Sequence, residues 1–375
     1  LIEVIIGPSD NVTGVTPDFE NLAEWIASNP VTDLVAAQQK CFVYLLPGEI
    51  VDTELVNLEA NTSEDYFFTF LPYGNYKFVG DFRADCPKLR SSFEYLWSYG
   101  FPDYSEIKNI AFVGSTVGSY ILVTTGYYSV VDGCGWADNF ATPQFGSMSL
   151  FYTAWASVRN CIFFNNWIES ESDSLELIAC GNYQGMVSNC LFGTLVAKCY
   201  GAGEATVRAI DGSGLFVVNN LIFDLFAWSA GGATSSWVWP NSASADWNAC
   251  NSLYSTAPDF NLNHSHTSID VPFWVRGPSP ATFDPRLRRV YNVAKKGIDV
   301  RLIENNPRLE IPSDVFPRLI DYGTDIKGED RGTYWNIGPD DFVWPCRVVE
   351  IAYLGGTVPK VLNHWQKIRP TLLAE

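Results

Sequence analysis

The residues whose types could do chemistry are mostly carboxylates. Glu169, Glu171, Asp173 and Glu176 fall close together, and Asp211 and Asp224 follow downstream. Two facing carboxyl groups can divide acid and base work on a glycosidic bond, about 6.5–9.5 Å apart for inversion and about 5–5.5 Å for retention. If successive segments of the chain lie over one another, Glu169, Glu171 and Asp173 are the residues that would carry glycan cleavage. The competing reading of a Glu-x-Glu-x-Asp run is a solvated face. His264 and His266 can share one face of a strand, but no third ligand accompanies them, so neither a metal nor another cofactor is expected. The sequence holds no nucleophile elbow and no phosphate-binding loop.

Positioning elements are announced by a recurring frame, Asn-x-x-Phe/Tyr. It starts at Asn75, Asn109, Asn160, Asn189, Asn220 and Asn251, and the last three steps are nearly equal. The long step from Asn109 to Asn160 reads as one or two repeats with an insertion. A period of this size, with short apolar runs and no helical pattern, indicates a stacked solenoid. Asparagine tolerates the left-handed conformation that a sharp corner demands, and its amide can bond the asparagine one coil away. The aromatic three places on would then stack with its counterparts. The expected fold is all-β, a parallel β-helix.

The totals agree. Hydrophobic residues make up 47% and charged residues only 18%, which excludes a disordered chain. Residues 1–275 carry nine Lys/Arg against 29 Asp/Glu, whereas 276–375 carry 15 against 13. Such an acidic body excludes nucleic acid as a partner, because binding needs a basic footprint. The nine cysteines include no C-x-x-C pair, so buried free thiols are expected, Cys161 and Cys190 among them. Asn11, Asn61 and Asn263 begin glycosylation sequons. No signal-peptide pattern opens the sequence and no apolar run reaches membrane-spanning length, so no membrane partner is expected.

Taken in order, Ile2–Ile6 reads as a strand, and Phe19, Leu22, Ala23 and Ile26 have the spacing of a short helix that would cap the first coil. Cys41–Leu46 and Glu49–Leu58 read as the first strands. The insertion after Asn109, with Val131–Asn139 in it, and a loop from Trp228 to Trp247 are where a solenoid carries specificity. Trp237 and Trp239 in that loop could stack on sugars or cover a neighbouring subunit.

Residues 283–342 carry a resemblance. Asn292–Val300, Thr324–Gly332 and Trp335–Phe342 follow in order, and together they resemble the terminal coil of right-handed, pectate-lyase-like β-helix proteins of bacterial surfaces and tailed phages. Asn336, Pro339 and Asp341 depart from that pattern, where the family has Asp, Ala and Glu. The likeness covers about sixty residues, with a looser one at Asn21–Trp25, and it transfers fold, not activity. It implies three parts: a cap and first strands over 1–60, the right-handed β-helix over 61–342, and a C-terminal arm over 343–375. It also implies a structural virion protein, not an enzyme, made in the host cytoplasm and placed on the outer particle surface. There it would act as a homotrimeric capsid cement or decoration protein, contacting the major capsid protein or another virion protein. Trp237, Trp239, Lys360, Trp365, Lys367 and Arg369 are the expected interface residues. The alternative is a tailspike that binds or cleaves host surface polysaccharide; this chain's direct passage from one helix into coils favours the capsid.

Overall fold

The structure, a computed structural model, describes residues 1–250 except 31, 81, 83, 94–96, 118–120, 143–145, 172–173, 219, 233, 238–243 and 247–248; residues 251–375 lie outside the described part. All described residues belong to the first of two compact units, Leu1–Phe342, the second being Val343–Glu375.

Three sheets run the length of the described chain, and every strand pair in them is parallel. In one coil the chain visits the first sheet at Glu106–Lys108, the second at Ala111–Val113 and the third at Ile121–Thr125. It then returns to the first at Val130–Asp132, hydrogen-bonded to Glu106–Lys108. Each strand thus pairs with its counterpart one coil away, the arrangement of an all-β parallel solenoid. Residues 108, 132, 159, 188 and 218 share one column, so the coil lengthens from 24 to 30 residues along the stack.

Alternation decides which way the strands face. Leu191–Cys199 alternates buried with half-buried residues through its second half, the pattern of a strand with one face on a core. The interior holds a column of rings. Phe112, Trp136, Phe163 and Phe192 are all fully buried, with neighbouring centroids 5.1, 4.5 and 4.9 Å apart and planes within 15°, 8° and 4°. Beside it runs a thiol column, Cys134, Cys161 and Cys190, in which the Cys161 amide donates to the Cys190 sulfur at 3.4 Å. The seven cysteines whose side chains are described are buried and free of disulfides. Burial pushes Cys41 up to about 12 and Cys134, Cys161 and Cys180 well above the usual thiol range, so they pack as small hydrophobes.

The frame asparagines divide. Asn109, Asn160 and Asn189 occupy one left-handed corner column between the first and second sheets, with φ of 54°, 55° and 55°. Gly133, φ 67°, fills the same column between Asn109 and Asn160. The long step is therefore two complete coils and no insertion, and Val131–Asn139 is ordinary coil with Trp136 at its centre. Asn75 is exposed, in the excursion after the strand Phe68–Pro72, and stands outside the column. Asn220 sits one place beyond the corner, in register with the cysteines. There its amide is buried, accepting from the Cys190 N–H at 2.9 Å and donating to the Val187 carbonyl at 2.9 Å. Asn251 lies outside the described residues.

A true amide ladder lies at the next corner. The Asn139 amide donates to Asn166 Oδ1 at 2.9 Å, while the Ser115 N–H donates to Asn139 and the Ser91 N–H to the Ser115 hydroxyl. These bonds satisfy corner amides that no strand can reach.

The stack begins earlier than residue 61, since Ile2–Ile6 already pairs in parallel with Cys41–Leu45. The helix Leu22–Ala27 lies against this end. Asn21 caps it by accepting from the Glu24 N–H at 2.8 Å, and Trp25 packs edge-on against Phe68 and Phe70. Part of the stretch between Trp228 and Trp247 is strand, Thr234–Trp237 and Ser244–Asp246, continuing the third and first sheets.

Candidate functional site

Glu169 and Glu176 do not share a face. Glu169 lies on Ile162–Ser170 of the second sheet, and Glu176 lies on Leu175–Tyr183 of the third. Between them Glu171 is exposed, and Asp173 is outside the described residues. A run that crosses a turn between sheets points its members in different directions. Glu169 instead accepts a hydrogen bond from the Tyr200 hydroxyl at 3.2 Å.

Glu176 and Asp211 do meet, through an arginine. Arg208 Nε lies 2.7 Å from Glu176 Oε1, and Arg208 Nη1 donates to Asp211 Oδ1 at 2.8 Å. Burial lifts Glu176 above the usual carboxylate range, against the opposing pull of the guanidinium. Arg208 takes up both charges, which leaves no free pair to divide acid and base roles. Asp224 is on the strand Leu221–Ser229, its side chain outside the described ones; His264 and His266 are outside altogether. Among the described residues no group of three His, Cys, Asp or Glu is placed to hold a metal ion.

What the described residues do assemble is an outward column of apolar side chains. On the outside of the second sheet, Phe140, Trp167, Val196 and Phe226 stand in one column across four coils. Glu169, Lys198 and Trp228 form the next column, and Tyr200 flanks it with its ring 5.5 Å from that of Trp228. Phe226 is 50% exposed, Tyr200 49% and Trp228 41%. Phe140, Trp167 and Val196 are half-buried, so the exposed apolar surface gathers at the Phe226, Trp228 and Tyr200 end; single exposed hydrophobes are ordinary, but a contiguous group marks an interaction surface. The sequence signal was available: the column repeats at the coil period, on the face opposite the buried rings. Trp237 ends its strand with its side chain outside the described ones, and Trp239, Lys360, Trp365, Lys367 and Arg369 lie outside as well.

No family model matches the chain, and neither a curated protein nor a solved structure matches it at a significant level.

Proposed function

We propose that this chain is a structural protein of a tailed-phage particle, a right-handed parallel β-helix that trimerises and decorates the capsid surface. The handedness follows from the strong preference of crossovers between parallel strands of one sheet for the right-handed path. Location on a particle rests on the resemblance carried by residues 283–342. Self-association is carried by one observation, the outward column of half-buried Phe140, Trp167 and Val196 that ends in exposed Phe226 beside exposed Trp228 and Tyr200. Three straight prisms can each bury one such face around a common axis, and closed symmetry is the usual outcome of self-association.

Native mass spectrometry of the full chain tests this. The wild type is expected as a trimer, and Phe226→Lys combined with Trp228→Glu as a monomer with an unchanged β circular-dichroism spectrum. A monomeric wild type, or a double variant that remains trimeric, rejects this face as the interface. Reversing Lys360, Lys367 and Arg369 together to Glu is expected to leave the trimer intact and abolish its attachment to particles, read by co-sedimentation. Undiminished attachment would exclude the arm as the docking element.

A second reading, glycan cleavage by Glu169, Glu171 and Asp173, rests on their run in the sequence, Asp173 lying outside the described residues.

A further inference from the structure

The corner between the third and first sheets is built from residues that ordinarily avoid it. Two places before each first-sheet strand come Tyr104, Tyr128, Trp155, Gln184 and Gly214, one per coil. All five are left-handed, with φ of 57°, 60°, 57°, 55° and 64°. Glycine and asparagine suit that conformation; a bulky side chain held there is strained by about 1–3 kcal/mol. The companion column at the next corner shows the relaxed solution, Asn109, Gly133, Asn160 and Asn189. Three successive aromatics at a position of this kind are therefore a stability loss, repeated coil after coil.

The rings form a continuous strip. Tyr104 and Tyr128 have centroids 5.2 Å apart, Tyr128 and Trp155 6.0 Å, and Tyr127 lies 6.2 Å from Tyr128. Tyr104, Tyr128 and Trp155 are half-buried, and Tyr127 is 52% exposed. The Tyr127 N–H donates to Asp103 Oδ1 at 2.7 Å, which fixes that turn. On the adjoining sheet face Tyr152 and Tyr183 continue the strip at 5.9 Å, and Gly181 leaves the room that the Tyr152 ring occupies. Beyond them stand Asp211, Arg208 and Glu176.

We propose that this strip binds a neutral oligosaccharide along the stack. Rings with polar tips offer flat apolar surface to the C–H faces of sugars, and the carboxylates, guanidinium and Gln184 amide offer hydrogen bonds to hydroxyls. Coils are spaced about 4.8 Å apart, so the strip runs on the order of 15 Å and suits a short linear chain rather than one ring. The net charge of −18 selects against polyanionic glycans. This site lies on a different face from the interface column, so it is independent of trimer formation.

The test uses the full chain and a panel of immobilised oligosaccharides, neutral glucans, mannans and rhamnans beside uronate-bearing and sulfated ones. Wild-type protein is expected to bind at least one neutral member and none of the acidic ones, with a change in tryptophan emission. Tyr128→Asn and Trp155→Asn place at these corners the residue the companion column already uses. Each is expected to weaken binding at least tenfold while the melting temperature stays the same or rises. The interface variant Phe226→Lys, Trp228→Glu is expected to keep monovalent affinity. No neutral glycan bound by the wild type, or unchanged affinity in both asparagine variants, rejects the proposal.

Discussion

Phe163→Ala is expected to destabilise the chain by about 3–5 kcal/mol, the range for truncating a large buried aromatic. Phe163 is fully buried between Trp136, 4.5 Å away at 8°, and Phe192, 4.9 Å away at 4°. Parallel ladders hold those neighbours at fixed spacing, through the registers Trp136 to Phe163 and Phe163 to Phe192. The two rings cannot close over the vacated volume without breaking those ladders, so the cavity persists. A solenoid also couples its coils through nearest neighbours alone, and the loss falls on both interfaces of the coil. Trp136→Phe is the control. The Trp136 indole nitrogen is buried without a hydrogen-bond partner among the described residues, so removing it relieves an unmet donor and offsets part of the lost packing. That variant is expected within about 1.5 kcal/mol of wild type. Urea unfolding followed by circular dichroism measures both. A Phe163→Ala loss below that of Trp136→Phe would mean the ring column is not what holds the coils together.

That column was legible in the sequence because asparagine and aromatic preferences act locally. Asn109, Asn160 and Asn189 declare left-handed corners, and the aromatic three places on must then point inward. The same frame misplaced Asn75 and Asn220 because two positions cannot distinguish a corner from its neighbour. At Asn220 the amide replaces a thiol in the buried column, a substitution tolerated because the Cys190 N–H and the Val187 carbonyl are both within reach. Gly133 broke the frame without breaking the fold, since glycine meets the same backbone demand with no side chain to read. Tyr104, Tyr128 and Trp155 were invisible for the opposite reason, since no propensity places aromatics at left-handed corners. The carboxylate run shows how little proximity in sequence says across a turn: Glu169 and Glu176 lie on different sheets.

Strain and burial at the ends and corners of the stack set how the molecule responds to its surroundings. The helix Leu22–Ala27 meets the first coil through Asp52, a fully buried carboxylate at the end of the strand Gly48–Asp52. Asp52 Oδ1 accepts from the Ala23 N–H at 2.9 Å, so the carboxyl sits at the amino end of the cap helix. The Tyr99 hydroxyl lies beside it, itself kept neutral because burial and the neighbouring carboxylate push it well above its ordinary range. Burial lifts Asp52 to about 6, with the Ala23 N–H, the Tyr99 phenol and the Leu22 N–H pulling the other way.

The sign of the resulting pH dependence follows from the two pKa values. Below 3.8 the carboxyl is protonated in both folded and unfolded chains, and no penalty arises. Between 3.8 and about 6 the unfolded chain loses its proton first, so stability falls as pH rises, and above that range the loss is constant. A shift of about two units corresponds to about 3 kcal/mol. Asp52→Asn keeps an acceptor for the Ala23 N–H and removes the charge. From pH 4 to pH 7.5 the wild type is expected to lose about 2–3 kcal/mol relative to this variant, measured by urea unfolding at each pH. Amide exchange at Ala23 is expected to quicken with pH beyond the intrinsic rate in the wild type alone, because the cap loosens where the charge is buried. Parallel stability profiles for the two proteins across that window would show that Asp52 ionises as freely in the folded chain as in water, and that the cap is held by Trp25 packing alone.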